Sequence, residues 1–138
     1  MTGRYLGATL ALSLLLLGPA RAQDCPIPGQ HTMMVFRLFF GRGSAAHPSV
    51  TDRQWRRFLA AEVTPRFPAG LTAIDADGQW QDPKSHAIAR ERSKMLLIAT
   101  PDTPAARDSI AALAAAYRQQ FHQQSVGIVA EPACAAFD

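Results

Sequence analysis

The run Met33-Met34-Val35-Phe36-Arg37-Leu38-Phe39-Phe40 constrains this chain more than any other stretch, because it is apolar throughout except for one charge. Side chains in a β-strand point alternately to opposite faces. Met34, Phe36, Leu38 and Phe40 would line one face, and Met33, Val35, Arg37 and Phe39 the other. A strand with one solvated face alternates apolar with polar, and this one does not. It therefore reads as a central strand covered on both faces, with Arg37 held in its middle.

The rest of the chain supplies a frame for that strand. Thr51 with Gln54 forms a capping box, Val50 with Trp55 a hydrophobic staple, and Trp55, Phe58, Leu59 and Val63 fall on one helical face. Pro65 ends this helix, since the residue before a proline avoids helical geometry. Leu71 to Ala76 reads as a second strand, with Asp77-Gly78 as a hairpin turn and Gln79-Trp80-Gln81 continuing as strand or loop. Asp82-Pro83 reads as a further turn. A third strand begins within His86 to Arg92 and carries an apolar part, Lys94 to Ala99, again apolar on both faces. Thr103 caps a second helix with Pro104 in its first turn, and Ile110, Leu113, Ala114, Tyr117 and Phe121 make its buried stripe. Val126 to Val129 reads as a fourth strand, and Glu131-Pro132 as the end of the sheet.

The order β-α-β-β-α-β predicts an α+β fold, a ferredoxin-like sandwich with a four-stranded antiparallel sheet and two helices on one face. Strands one and three are central in that arrangement, which is where the two doubly apolar strands fall. The other face of the sheet is then left uncovered by this chain and yet is not polar. Such a face is a dimer interface or a wall of a ligand cavity.

Residues 1–22 are expected to lie outside the fold. Arg4, the apolar stretch from Leu6 to Leu17, and Ala20-Arg21-Ala22 make the pattern of a cleavable secretory signal peptide. Residues 23–138 then form a single exported domain, periplasmic or extracellular. Ala22-Gln23-Asp24 before Cys25 does not match a lipobox, so a lipid anchor is not expected. Nothing later in the chain is long and apolar enough for a membrane span. Cleavage removes two of the 14 basic residues and none of the 11 acidic ones, leaving 12 against 11, or +1. No basic cluster remains to bind nucleic acid. Arg53, Arg56 and Arg57 read as a solvated helix face.

Cys25 and Cys134 are the only cysteines, one near each end of the mature domain. In an exported chain such a pair reads as a disulfide. Strands one and four should be antiparallel neighbours, which brings the two cysteines together. His31, His47, His86 and His122 show no close pairing, so no metal and no cofactor are expected.

Several stretches also resemble one known family: Arg37-Leu38-Phe39-Phe40-Gly41, Thr64-Pro65-Arg66-Phe67-Pro68-Ala69-Gly70-Leu71-Thr72, Gly78-Gln79-Trp80, Ser93-Lys94 and Gln124-Ser125-Val126. They are similar to small exported bacterial proteins grouped as domain of unknown function 3574. The resemblance implies an envelope or secreted location and no chemistry. Many relatives are lipoproteins, but this chain lacks the lipobox.

The predicted topology sorts the polar residues into two ends of the sheet. The Gly41 loop, Trp80, Glu91, His122 and Gln124 share one end; Arg66, Thr100, Asp102 and both cysteines share the other. Arg37, Arg66, Trp80, Glu91 and Lys94 are the candidate binding residues. Glu91 is expected to pair with Arg37 on or near the open face. That pair reads as structural support under an interface, or as the acid and cation of a pocket walled by Trp80. Arg66 is expected to tie its connector to backbone carbonyls. No nucleophile and base arrangement is legible. Two functions remain: a non-catalytic homodimeric or accessory envelope module, or a small-molecule binder or small enzyme using the helix-free face.

Overall fold

The computed structural model describes residues 25–43 and 49–137. The expected signal peptide, and His47, lie outside these residues.

The elements run β1 (His31–Gly41), α1 (Asp52–Phe58), β2 (Thr72–Gln81), β3 (Ile88–Thr100), α2 (Pro104–Phe121) and β4 (Gly127–Ala135). One wide π turn, Leu59–Val63, extends α1 and ends just before Thr64-Pro65. The four strands form one sheet in the order β2-β3-β1-β4, and every neighbouring pair is antiparallel. The fold is thus α+β, with β1 and β3 central.

Both helix starts follow their sequence signals. Thr51 Oγ1 accepts from the Gln54 amide while the Gln54 side chain accepts from the Thr51 amide. Val50 and Trp55, the two halves of the staple, are both buried. Thr103 Oγ1 accepts from the Ala106 amide, with Pro104 at the first helical position. Such caps contribute about 1 kcal/mol each.

The helices cover the face built from the even positions of β1 and β3. Phe36, Leu38, Phe40, Leu96 and Ile98 pack there against Trp55, Phe58 and Val63 of the first helix and Ile110, Leu113, Tyr117 and Phe121 of the second. At the centre Phe40, Trp55, Phe58, Tyr117 and Phe121 form an aromatic cluster with ring centroids 4.7–6.1 Å apart, mostly tilted or edge-to-face. Aromatic contacts of this kind stabilise beyond their area burial, by about 0.5–1.5 kcal/mol per pair.

Two sequence expectations are corrected. Asp77-Gly78 is not a turn. β2 runs straight through it, and Gly78 sits opposite Glu91 in the β2–β3 ladder. The turn lies at Asp82, whose carboxylate accepts from the amides of Lys84 and Ser85 and from the Ser85 hydroxyl. Nor does Glu131-Pro132 end the sheet, since β4 continues to Ala135 with Pro132 opposite Met34. β4 is an edge strand, and an edge accommodates a proline because one row of its N–H groups needs no ladder partner.

The pairing of β1 with β4 sets Thr32 opposite Cys134, and Cys25 closes a disulfide with Cys134 across a Cα–Cα distance of 5.5 Å. The bridge ties the lead-in before β1 to the last strand.

Candidate functional site on the helix-free face

No helix covers the odd face of β1 and β3. β1 contributes Met33, Val35, Arg37 and Phe39 to it, and the register adds Met95, Leu97 and Ala99 of β3, Ile74 and Trp80 of β2, and Val129 and Glu131 of β4. Large apolar side chains stand open to solvent here: Phe39 40 %, Ile74 40 %, Val129 47 % and Trp80 50 % exposed.

Arg37 lies in the middle of this face, but its partner is not Glu91. Its guanidinium reaches Glu131 at 2.7 Å, diagonally across the β1–β4 ladder. The expected Arg37–Glu91 pairing is corrected, and the register gives the reason. Arg37 pairs with Leu97, whereas Glu91 lies beyond Ser93, the residue opposite Gly41. Glu91 is therefore at the far end of the face, past the end of β1.

That end forms a groove. Its lining includes Phe39, Gly41, Trp80, Glu91, Ser93 and Gln123. Trp80, Glu91 and Gln124 do share this end of the sheet, while Arg37 and Lys94 do not line the groove.

Lys94 points the other way, toward the helices. It is buried, and its ammonium is held by the carboxylates of Asp52 and Asp75. Arg42 joins this group. Its Nε donates to the Val50 carbonyl at 2.7 Å and its Nη1 lies 3.0 Å from Asp52 Oδ1. Asp52 is thereby held below the ordinary carboxylate range, first by the hydrogen bond from Lys94 and then by the charge of Arg42. A carboxylate with a depressed folded pKa stabilises above its unfolded value and loses that contribution as pH falls through the folded one. Stability is expected to drop on acidification below about pH 4, and Asp52→Asn should flatten that limb. Denaturant midpoints across an acid series, wild type against variant, measure it.

Tyr117 connects core and groove. It is fully buried, and its hydroxyl donates to the Gly41 carbonyl at 2.8 Å. Burial pushes its pKa well above the ordinary tyrosine value; Arg42 opposes that shift and Glu91 adds to it. The protonated form is thus favoured in the fold, and its contribution is lost as pH rises past the ordinary value near ~10. Tyr5 is the only other tyrosine and lies in the expected leader. Phenol absorbance of residues 23–138 should therefore titrate only as the fold melts, and Tyr117→Phe should remove this alkaline loss.

Arg66 reaches back from its connector to the π turn before it. Its Nη1 donates to the Glu62 carbonyl at 2.5 Å and to the Glu62 carboxylate at 2.8 Å. Gln123 was not legible as a site residue. A glutamine just past a helix end carries no signal of its own, and only the left-handed turn at His122 brings it over Gly41. Among the described residues no group of three or more His, Cys, Asp or Glu is placed to hold a metal ion. No helix among them is long and apolar enough to cross a membrane.

A family model matches residues 36–137, nearly all of the sheet and both helices. The chain belongs to the family described as Protein of unknown function (DUF3574). No curated protein matches this DUF3574 chain. Solved structures do. A phage SAM lyase in complex with S-methyl-5'-thioadenosine is similar over 85 % of this chain and 97 % of its own, at 15 % identity and a TM-score of 0.58. CutA from Synechococcus elongatus is similar over 76 % of this chain and 80 % of its own, at 13 % identity and a TM-score of 0.50. At such identities the likeness is one of fold alone.

Proposed function

We propose that this DUF3574 protein is an exported, non-catalytic module of ferredoxin-like topology that pairs with a second copy of itself through the helix-free face of its sheet. Residues 1–22 act as the cleaved signal, and residues 23–138 are the working protein. The disulfide supports an oxidising compartment, where such bridges persist.

One observation carries the pairing. The uncovered face is apolar around a single ion pair, Arg37–Glu131, that is already satisfied within one chain. A partner needs to bring no balancing charge, only another apolar face. A second copy supplies that and sets its own Arg37–Glu131 pair near the first, so that opposite charges alternate about a two-fold axis. Light scattering on the mature protein tests the reading. A mass of two copies or a higher multiple is expected, and a monodisperse monomer would overturn it.

A second reading, small-molecule binding, is favoured by the groove at the Trp80 end. It is concave, it has an aromatic wall, and it holds a carboxylate that takes no part in the ion pairs of the face. Binding pockets combine these features. The two readings are compatible, since the groove lies beyond the end of β1 and the Arg37 patch is at its middle.

A further inference from the structure

We infer that the groove is a subsite for a small organic cation, a primary ammonium or amidinium carried on a flat apolar group. This rests on the small-molecule reading above and names its ligand class.

The two polar side-chain atoms nearest the open side of Gly41 are both acceptors. A methyl group placed on Gly41 would lie 3.1 Å from Glu91 Oε1 and 3.3 Å from Gln123 Oε1. Both oxygens therefore aim at the space above the glycine. Gln123 is fixed in this sense because its Nε2 donates to the Phe121 carbonyl at 3.1 Å. Ser93 pairs with Gly41 across the ladder, and its hydroxyl donates away to the Ala76 carbonyl, which leaves only lone pairs free. Two acceptors on one spot, with Ser93 in the same lining, call for a ligand rich in N–H donors. A full negative charge among them calls for a cation.

Arg42, Arg90 and Arg92 also line the groove, but none of them neutralises Glu91 by an ion pair. No lysine or arginine among the described residues stands within salt-bridge distance of Glu91. Arg90 and Arg92 flank it in sequence, so strand alternation turns them to the opposite face. The charge of Arg92 is felt there by Asp52. Arg42 gives its Nε to the Val50 carbonyl and pairs by charge with Asp52, while its buried Nη1 makes no hydrogen bond. Glu91 is the carboxylate whose oxygen faces the space above Gly41.

The apolar part of the ligand has its own place. Trp80 stands half-exposed on the same face as Glu91, with Phe39 on the other side of the groove. Aromatic faces attract flat apolar groups and cations alike. The missing Cβ at Gly41 is what leaves room for the head group.

Benzylamine, benzyl alcohol and benzoate share one ring and differ in the charge of the head, so the three form the test. The chain has two tryptophans, Trp80 on the groove and Trp55 in the core, so two indole N–H resonances separate binding from loss of fold. Titration with benzylamine should shift the Trp80 signal saturably and leave Trp55 in place, while benzyl alcohol and benzoate should not saturate. Glu91→Gln should weaken benzylamine about 10–100-fold, the range for losing a charged hydrogen bond. Gly41→Ala should block it without changing any charge. Equal binding of benzyl alcohol or benzoate would overturn the cation assignment and leave the groove as a site. Wild-type affinity in either variant would overturn it as well. If none of the three probes saturates, the small-molecule reading falls together with the inference.

Discussion

Replacing Cys25 and Cys134 together by serine is expected to lower stability by about 4–5 kcal/mol, the loop-entropy value for a closed loop of this size. The two cysteines are 109 positions apart, so the bridge closes nearly the whole domain into one loop. That restriction falls on the unfolded chain, and the gain it gives grows with loop length. For a domain of this size the loss corresponds to roughly 20 °C in melting temperature. The damage should also be uneven. Cys134 lies on edge strand β4, opposite Thr32, and without the bridge this end of the sheet is fastened mainly by the β1–β4 ladder. Amide exchange in β4 should therefore rise more than in β1 and β3. Thiol titration of the unreduced, denatured protein checks the premise, and two free thiols per chain would exclude the bridge.

The central strands, the caps and the buried stripe of α2 were legible because each rests on local physics or on a period of two or 3.6 residues. A turn was misread at Asp77-Gly78 because Asp-Gly is a turn signal only where the chain has a reason to reverse, while the turn read at Asp82-Pro83 is the one that closes the β2–β3 hairpin. Asp77-Gly78 sits inside a ladder that runs on to Gln81 opposite Ile88, and Asp82 makes the tighter set of local hydrogen bonds. The partner of Arg37 was missed for a related reason. The order of strands was readable, but the register was not, and register decides which carboxylate stands within reach. Glu131 lies on a strand that had been ended at that very residue, which removed it from view. Lys94 shows another limit. Its position in β3 was plain, but the side it serves depends on Asp52 and Asp75, brought there by a helix start and an edge strand far apart in sequence.

A carboxylate placed at Val35 is expected to keep two copies from pairing through the proposed interface. Val35 lies on the helix-free face, between Ala99 of β3 and Glu131 of β4. Sealing an unpaired charge under a partner costs several kcal/mol, so Val35→Glu should weaken association by about two to three orders of magnitude. The new charge also stands directly opposite Glu131, and like charges across a ladder destabilise the strand pair itself. Leu97→Glu separates the two effects. Leu97 is the cross-strand partner of Arg37, so a carboxylate there has a guanidinium beside it within the chain and should leave the monomer folded. It still puts a charge into the face and should still yield single copies. Arg37→Met with Glu131→Leu runs the opposite way. It removes a guanidinium that is 36 % exposed and a carboxylate that is 48 % exposed in the single chain, both of which would have to lose that water on pairing. Replacing both members of a buried ion pair by apolar side chains is often neutral or stabilising. The double variant should therefore keep a two-copy mass or hold it to greater dilution. Light scattering over a dilution series reads all three variants. A wild type that is monomeric throughout, with Val35→Glu and Leu97→Glu behaving identically, would remove the interface and leave this face as exposed apolar surface.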